Sequence, residues 1–98
     1  MKYRNKKTNG FDSKKEYLRF KVLSLLQYCG EISGLECQVP YELIPKQDGE
    51  RAVIYKADFR YRENGILVVE DVKGVKTREY IIKRKLMLWR HGIRIRET

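Results

Sequence analysis

At 98 residues the chain has room for one domain, and its 42% hydrophobic and 36% charged content allows a core under a highly charged surface and argues against disorder. Two cysteines and one histidine fall short of the roughly four ligands of a structural zinc site. No apolar run approaches the roughly 20 residues of a membrane span, and the polar, basic N-terminus has no signal-peptide core, so the expectation is a cytoplasmic protein with reduced thiols.

Residues 1–11 (MKYRNKKTNGF) are basic and contain Gly and Asn, and are read as a flexible arm ahead of a domain over 12–98. Ser13-Lys14-Lys15-Glu16 has the form of a capping box that opens a helix. Leu18, Val22, Leu25, Leu26 and Cys29 follow at helical spacing as its apolar side, and Gly30 suits the left-handed position that ends it. Leu35, Cys37, Val39, Tyr41 and Leu43 alternate with polar residues, which predicts a strand, and Pro40 places it at an edge. After a turn at 45–49, Val53, Tyr55, Ala57, Phe59 and Tyr61 form one side of a second strand, with Lys56, Asp58, Arg60 and Arg62 on the other. Glu63-Asn64-Gly65 is a tight hairpin turn. Ile66-Leu67-Val68-Val69 begins a third strand, apolar on both faces as a central, doubly covered strand is, and it runs into Glu70-Asp71-Val72-Lys73-Gly74. Thr77 caps a second helix to about His91, with Ile81, Ile82, Leu86, Leu88 and Trp89 as its apolar side. Gly92 ends that helix, and Ile93–Arg96 alternates as a last short strand. The order helix, three strands, helix, strand predicts a single α/β domain with a mixed central sheet flanked by helices.

The net charge of +9 is unevenly spread. Residues 1–24 and 76–98 each carry eight Lys/Arg against two acids, whereas residues 25–75 carry six against nine. Basic ends suit a polyanion, because each phosphate contact releases condensed counterions. Lys14, Lys15, Lys76, Arg78, Lys83 and Arg84 are the candidate nucleic-acid contacts, with a solvated helix face as the bland alternative for Lys83 and Arg84. The acidic middle opposes such binding and needs its own reason. A divalent-metal site is one.

The centre of the sheet supplies the residues for it. Charges at the end of a buried strand are costly unless paired or metal-bound. Alternation puts Asp71 and Lys73 on one face, about 6–7 Å apart along the strand. A hairpin turning at about residue 64 sets Asp58 nearly opposite Asp71, with Cβ atoms about 4.5–5.5 Å apart. Two carboxylates that close repel one another, and a magnesium ion between them resolves the conflict. A metal held there can activate water and polarise a phosphoryl oxygen, and Lys73 can orient the nucleophile and offset developing charge. Plain cross-strand ion pairing is the competing reading for any one of these pairs. Glu70, on the opposite face from Asp71, is expected to pair with a basic side chain, with the second helix as the suggested source. Tyr55, Tyr61 and Tyr80 are expected to pack, and His91 to sit at a helix C-terminus without a catalytic part.

Asp58, followed after twelve residues by Asp71-Val72-Lys73, resembles the PD-(D/E)XK nuclease signature. With the helix-opening block Phe11–Glu16, the Ala57-Asp58-Phe59 and Val69–Gly74 blocks are similar, in order, to small phage-encoded nucleases of that class. The chain has Ala57 where the superfamily's name has proline. The resemblance covers nearly the whole chain and implies a restriction-endonuclease-like domain that hydrolyses DNA with Mg2+ or Mn2+. It implies catalytic residues Glu16, Asp58, Asp71 and Lys73, and a metal set of Glu16, Asp58, Asp71 and Val72. Glu16 also has a plain reading as the third helical residue of the capping box. The expected enzyme is a Holliday-junction-resolvase-like endonuclease of phage recombination or replication, working as a homodimer on branched DNA in the cytoplasm of a bacterial host. A non-catalytic DNA-binding module on the same fold, or an assembly protein with basic arms, are the alternatives.

Overall fold

The computed structural model describes residues 10–98, so most of the expected arm lies outside the described residues. The elements are α1 (Lys14–Tyr28), β1 (Ser33–Ile44), β2 (Val53–Glu63), β3 (Ile66–Asp71), α2 (Arg78–His91) and β4 (Arg96–Glu97). The sheet order is β1-β2-β3-β4, antiparallel except for the parallel β3–β4 pair. This is the mixed α/β arrangement that the sequence predicts, with Pro40 on the edge strand. The last strand is shorter than expected: only Arg96 and Glu97 pair, beside Glu70 and Asp71, while Ile93 and Ile95 pack into the core.

Capping chemistry sets the helix ends. The Ser13 hydroxyl accepts from the Glu16 amide, and the Thr77 hydroxyl from the Tyr80 amide. Gly92, at φ 67, ends α2 in the left-handed conformation that glycine adopts without strain. The chain after α1 turns the same way at Gly30, φ 83.

The helices lie on opposite faces of β3. Successive residues Val68 and Val69 point into different cores, one with α1 and one with α2. The α1 core holds Leu23, Ile32, Phe59, Tyr61 and Val68, with Phe11 and Phe20 packed against it. The α2 core holds Leu43, Tyr55, Ala57, Val69, Tyr80, Met87 and Ile95. Phe11, the last residue of the expected arm, is therefore anchored, its ring 4.9 Å from that of Phe20.

Three expectations are corrected here. The buried side of α1 is Glu16, Leu23 and the half-buried Arg19, Phe20 and Leu26; Leu18, Val22, Leu25 and Cys29 are exposed. The apolar residues of α1 outnumber the positions its core can take, and Phe20 and Leu23 fit the α1 core against Phe59 better than the outer stripe does. On α2, Tyr80 and Met87 are buried, while Ile82, Leu88 and Trp89 are exposed. At the start of β3, Ile66 and Leu67 are exposed, and only its last four residues are buried between the helices.

The apolar side of β2 is also divided. Tyr55 and Ala57 serve the α2 core, whereas Phe59 and Tyr61, of the same parity, serve the α1 core. The strand rolls over between them, at Asp58. Gln38, which the unbroken β1–β2 register sets opposite Asp58, has a φ of 54, a left-handed conformation uncommon for a residue with a side chain.

Candidate active site

Asp58, Asp71 and Lys73 meet in one open cleft of about 480 Å3 beside this rollover, lined also by Asp12, Gln38, Tyr55, Lys56, Tyr80 and Lys83. The β2–β3 register pairs Phe59 with Glu70 and, carried one step on, sets Asp58 opposite Asp71 as the hairpin predicts. Asp58 anchors the end of β3, one carboxylate oxygen accepting from the Val72 amide at 2.8 Å. Asp71 is only 2% exposed. One of its oxygens accepts from the Tyr55 hydroxyl at 2.7 Å. The other, Oδ2, is buried without a hydrogen bond, and the Lys73 ammonium stands 3.2 Å from it as an ion pair. The same ammonium lies 4.4 Å from the centre of the Tyr80 ring.

Glu16 enters from α1. Its amide is capped by Ser13, but its carboxylate does not close the capping box: Oε2 accepts from the Gln38 amide at 2.7 Å. Gln38 reaches toward Asp58 as well, at 3.5 Å, so one side-chain amide bridges the two carboxylates. Glu16 is 5% exposed. Burial, and then the charges of Asp58, Asp12 and Asp71, push its carboxyl up to about 7. Burial raises Asp58 to about 6, with Asp71 adding to it and the Val72 amide and Lys73 working against it. Acids held this far above their ordinary range mark a place where charge is concentrated and underpaired. Burial, and then the bond to Asp71, push the Tyr55 hydroxyl well above its ordinary range, so it stays a donor.

Among the described residues no three His, Cys, Asp or Glu side chains close on a point that could hold a metal ion by themselves. Magnesium does not need such a cage, since it binds through one or two carboxylates and keeps waters and substrate phosphate for the rest. Asp58 and Asp71 stand opposite one another across the hairpin, and Oδ2 of Asp71 carries no hydrogen bond. Val72 contributes its amide to Asp58.

The predicted phosphate contacts are mostly engaged within the protein. Lys83 pairs with Glu79, and Arg84 and Lys76 both pair with Glu97. The Lys15 ammonium donates to the Lys73 carbonyl at 3.0 Å. Lys14 and Arg78 are exposed with no such partner among the described residues. Glu70 does pair with a basic residue, but from α1: Arg19 donates twice, at 2.6 and 3.0 Å, and Tyr61 and Thr98 donate as well. His91 sits at the end of α2, 2.7 Å from the Glu42 carbonyl and away from the cleft.

Gln38, Tyr55 and Tyr80 escaped the sequence reading as site residues. The signal for Gln38 was available: a turn centred near Asp48 sets 38 opposite 58 by the same reasoning that pairs 58 with 71.

The chain belongs to the family described as "Protein of unknown function (DUF1064)", whose model matches residues 1–96. No curated protein and no solved structure matches it. No described helix is long and apolar enough to cross a membrane.

Proposed function

We propose that this member of the DUF1064 family is a metal-dependent DNA endonuclease of the PD-(D/E)XK type. The observation that carries the reading is the Asp71 carboxylate: buried, opposite Asp58, with one oxygen left without a hydrogen bond and a lysine ammonium 3.2 Å from that same oxygen. A structural ion pair at the end of a strand does not need a second carboxylate opposite and a third on the adjoining helix. A site for phosphodiester hydrolysis does.

Asp58 and Asp71, with Glu16, would hold Mg2+ or Mn2+, which supplies an activated water and neutralises phosphoryl charge when bound. Lys73 is fixed by the Asp71 ion pair and the Tyr80 ring, so its ammonium faces the cleft where a scissile phosphate and its attacking water would lie. There it orients the nucleophile and offsets charge on the phosphoryl oxygens. Tyr55 holds Asp71 in one rotamer through its other oxygen, and Gln38 holds Glu16 beside Asp58.

A second copy of the chain is part of the reading, since a resolvase cuts two strands related by a two-fold axis. Leu18, Val22, Leu25 and Cys29 stand exposed on α1 at the four-three-four spacing of a coiled-coil seam, a self-complementary surface for it. Such an enzyme acts on branched DNA in the cytoplasm of a bacterial cell, a phage's host if the chain is phage-encoded.

The test is incubation with labelled four-way, flap and linear duplex DNA in Mg2+, Mn2+ or EDTA, beside Asp71→Asn. Cutting that needs the metal and disappears in the variant supports the reading, and the preferred substrate names the job. Binding without cutting on every substrate in both metals overturns it in favour of a non-catalytic DNA-binding module.

A further inference from the structure

Along α2, Arg78, Ile82, Lys85 and Trp89 stand at i, i+4, i+7 and i+11 and fall on one outward ridge. Trp89 is 78% exposed and Ile82 58% exposed. Arg78 and Lys85 are exposed and have no ion pair or hydrogen bond among the described residues, in contrast to Lys83, Arg84 and Arg90 on the same helix, which are all paired with acids. The ridge therefore alternates a free cation with an apolar surface over about 16 Å, at 1.5 Å per residue. It also continues from the cleft: Ile82 and Ile54 wall an aliphatic groove that shares Ile54, Glu79 and Lys83 with the site of Asp58 and Asp71.

A ligand for this ridge must present anionic and flat apolar surfaces in alternation. Duplex DNA keeps its base faces stacked on one another, so Trp89 would find no base face to stack on. An apolar protein helix would bury Arg78 and Lys85 without counter-charges, at a cost of several kcal/mol per ion. An unpaired strand supplies both surfaces, since every base has a π-face for stacking and every link a phosphate. We infer that the Arg78–Ile82–Lys85–Trp89 ridge binds single-stranded nucleic acid leading away from the cleft. A base stacks on Trp89, and the adjoining phosphates pair with Arg78 and Lys85. This deepens the nuclease reading and rests on it for its purpose: the substrate has an unpaired segment next to the cut.

Trp89 is the chain's only tryptophan, so its emission reports this ridge alone. The full chain is titrated in EDTA, where no metal supports cutting, with a thymidine oligonucleotide, a duplex of equal length and a poly-glutamate peptide. Saturable quenching by the single strand, weaker for the duplex and absent for the peptide, is the expected result. By anisotropy of a labelled single strand, Trp89→Ala should bind at least about 5-fold more weakly, and Trp89→Phe, which keeps a ring, should retain most of the affinity. Arg78→Gln and Lys85→Gln should each lower the slope of log affinity against log salt by about 0.7. Absence of quenching, equal quenching by the duplex, or quenching by the peptide would overturn the inference, the last pointing to a protein partner instead. Cutting without quenching would leave the nuclease and remove the ridge; quenching without cutting on any substrate would keep the ridge as a binding surface and remove its role in cleavage.

Discussion

Replacing Glu16 by glutamine should make the metal-free protein more stable, by an amount that grows with pH. Glu16 is 5% exposed, and burial with the surrounding carboxylates raises its pKa from 4.5 to about 7. For an acid, a raised native pKa means that the folded state holds the proton more tightly. The favourable contribution is complete below pH 4.5 and is lost as pH rises from 4.5 through about 7. At pH 8 the group is charged in both states, and its native environment disfavours that charge by about 3 kcal/mol, at about 1.4 kcal/mol per pH unit. Glutamine keeps the shape and can still accept the Gln38 amide that now bonds Glu16 at 2.7 Å. Glu16→Gln in EDTA should therefore gain about 2–3 kcal/mol at pH 8 and less than about 1 kcal/mol at pH 5. For a domain of this length that is a rise in Tm of about 10–20 °C at pH 8. Added Mg2+ should narrow the gap by stabilising the wild type more than the variant. Thermal melts followed by circular dichroism decide it. A variant no more stable than wild type at pH 8, or a gap unchanged between pH 5 and pH 8, would show that Glu16 is not part of an underpaired carboxylate cluster.

Other substitutions separate the cleft from the scaffold. In the cleavage assay, Lys73→Ala should lower the rate about 100-fold to 1,000-fold, as loss of one positioned charge stabiliser does, and Asp71→Asn should reduce it further while leaving the fold no less stable in EDTA. Arg19→Met would strand the fully buried Glu70 carboxylate and should cost about 3–5 kcal/mol in a denaturant melt; combining it with Glu70→Gln should recover more than half of that loss. Leu25→Arg, on a residue 61% exposed, tests the proposed second copy: it should leave the fold intact by circular dichroism and sediment as a monomer where the wild type is expected to sediment as a dimer.

The placement of Asp58, Asp71 and Lys73 was legible in the sequence where it depends on local rules. A tight turn at Asn64-Gly65 dictates the register that opposes Asp58 and Asp71, and alternation then places Lys73. Capping residues mark the starts of both helices. What escaped depends on long-range packing. The α1 sequence offers two apolar stripes, and only the positions of Phe59 and Val68 decide that Phe20 and Leu23 turn inward while Leu18, Val22 and Leu25 turn out. The partner of Glu70 was misplaced for the same reason, because with the helices on opposite faces of β3 the even residues of that strand meet α1. Internal pairing of Lys76 and Arg84 needs Glu97 in space, which arrives only with the last two-residue strand, whereas the Glu79–Lys83 pair is a local i,i+4 contact that the sequence did show.

The position of the cleft follows from how two helices share one hairpin. β1 and β2 are longer than β3, so one stretch of the hairpin serves the α1 core and the other serves the α2 core. Where the strands change cores, Ala57 and Phe59 stay fully buried and Asp58 between them is half-buried. Asp58 and Gln38 sit at that crossing, and the left-handed Gln38 is the local cost of the turn. β3 ends at the same level, so Asp71 and Lys73 emerge there, and the first turn of α1 brings Glu16 over the edge. This crossing fixes carboxylates on strands beside an open cleft that Asp58 and Asp71 line. On the other face of the same strand end, Glu70 is fully buried and satisfied by Arg19, Tyr61 and Thr98. Two adjacent acids thus differ: Glu70 is saturated with hydrogen bonds, while Asp71 keeps a buried oxygen with no hydrogen bond, neutralised by the Lys73 ammonium 3.2 Å away. Glu70 has four donors from three residues, while Asp71 has one hydrogen bond and the Lys73 ion pair beside an open cleft, and that contrast is a physical reason to seek a function at Asp71.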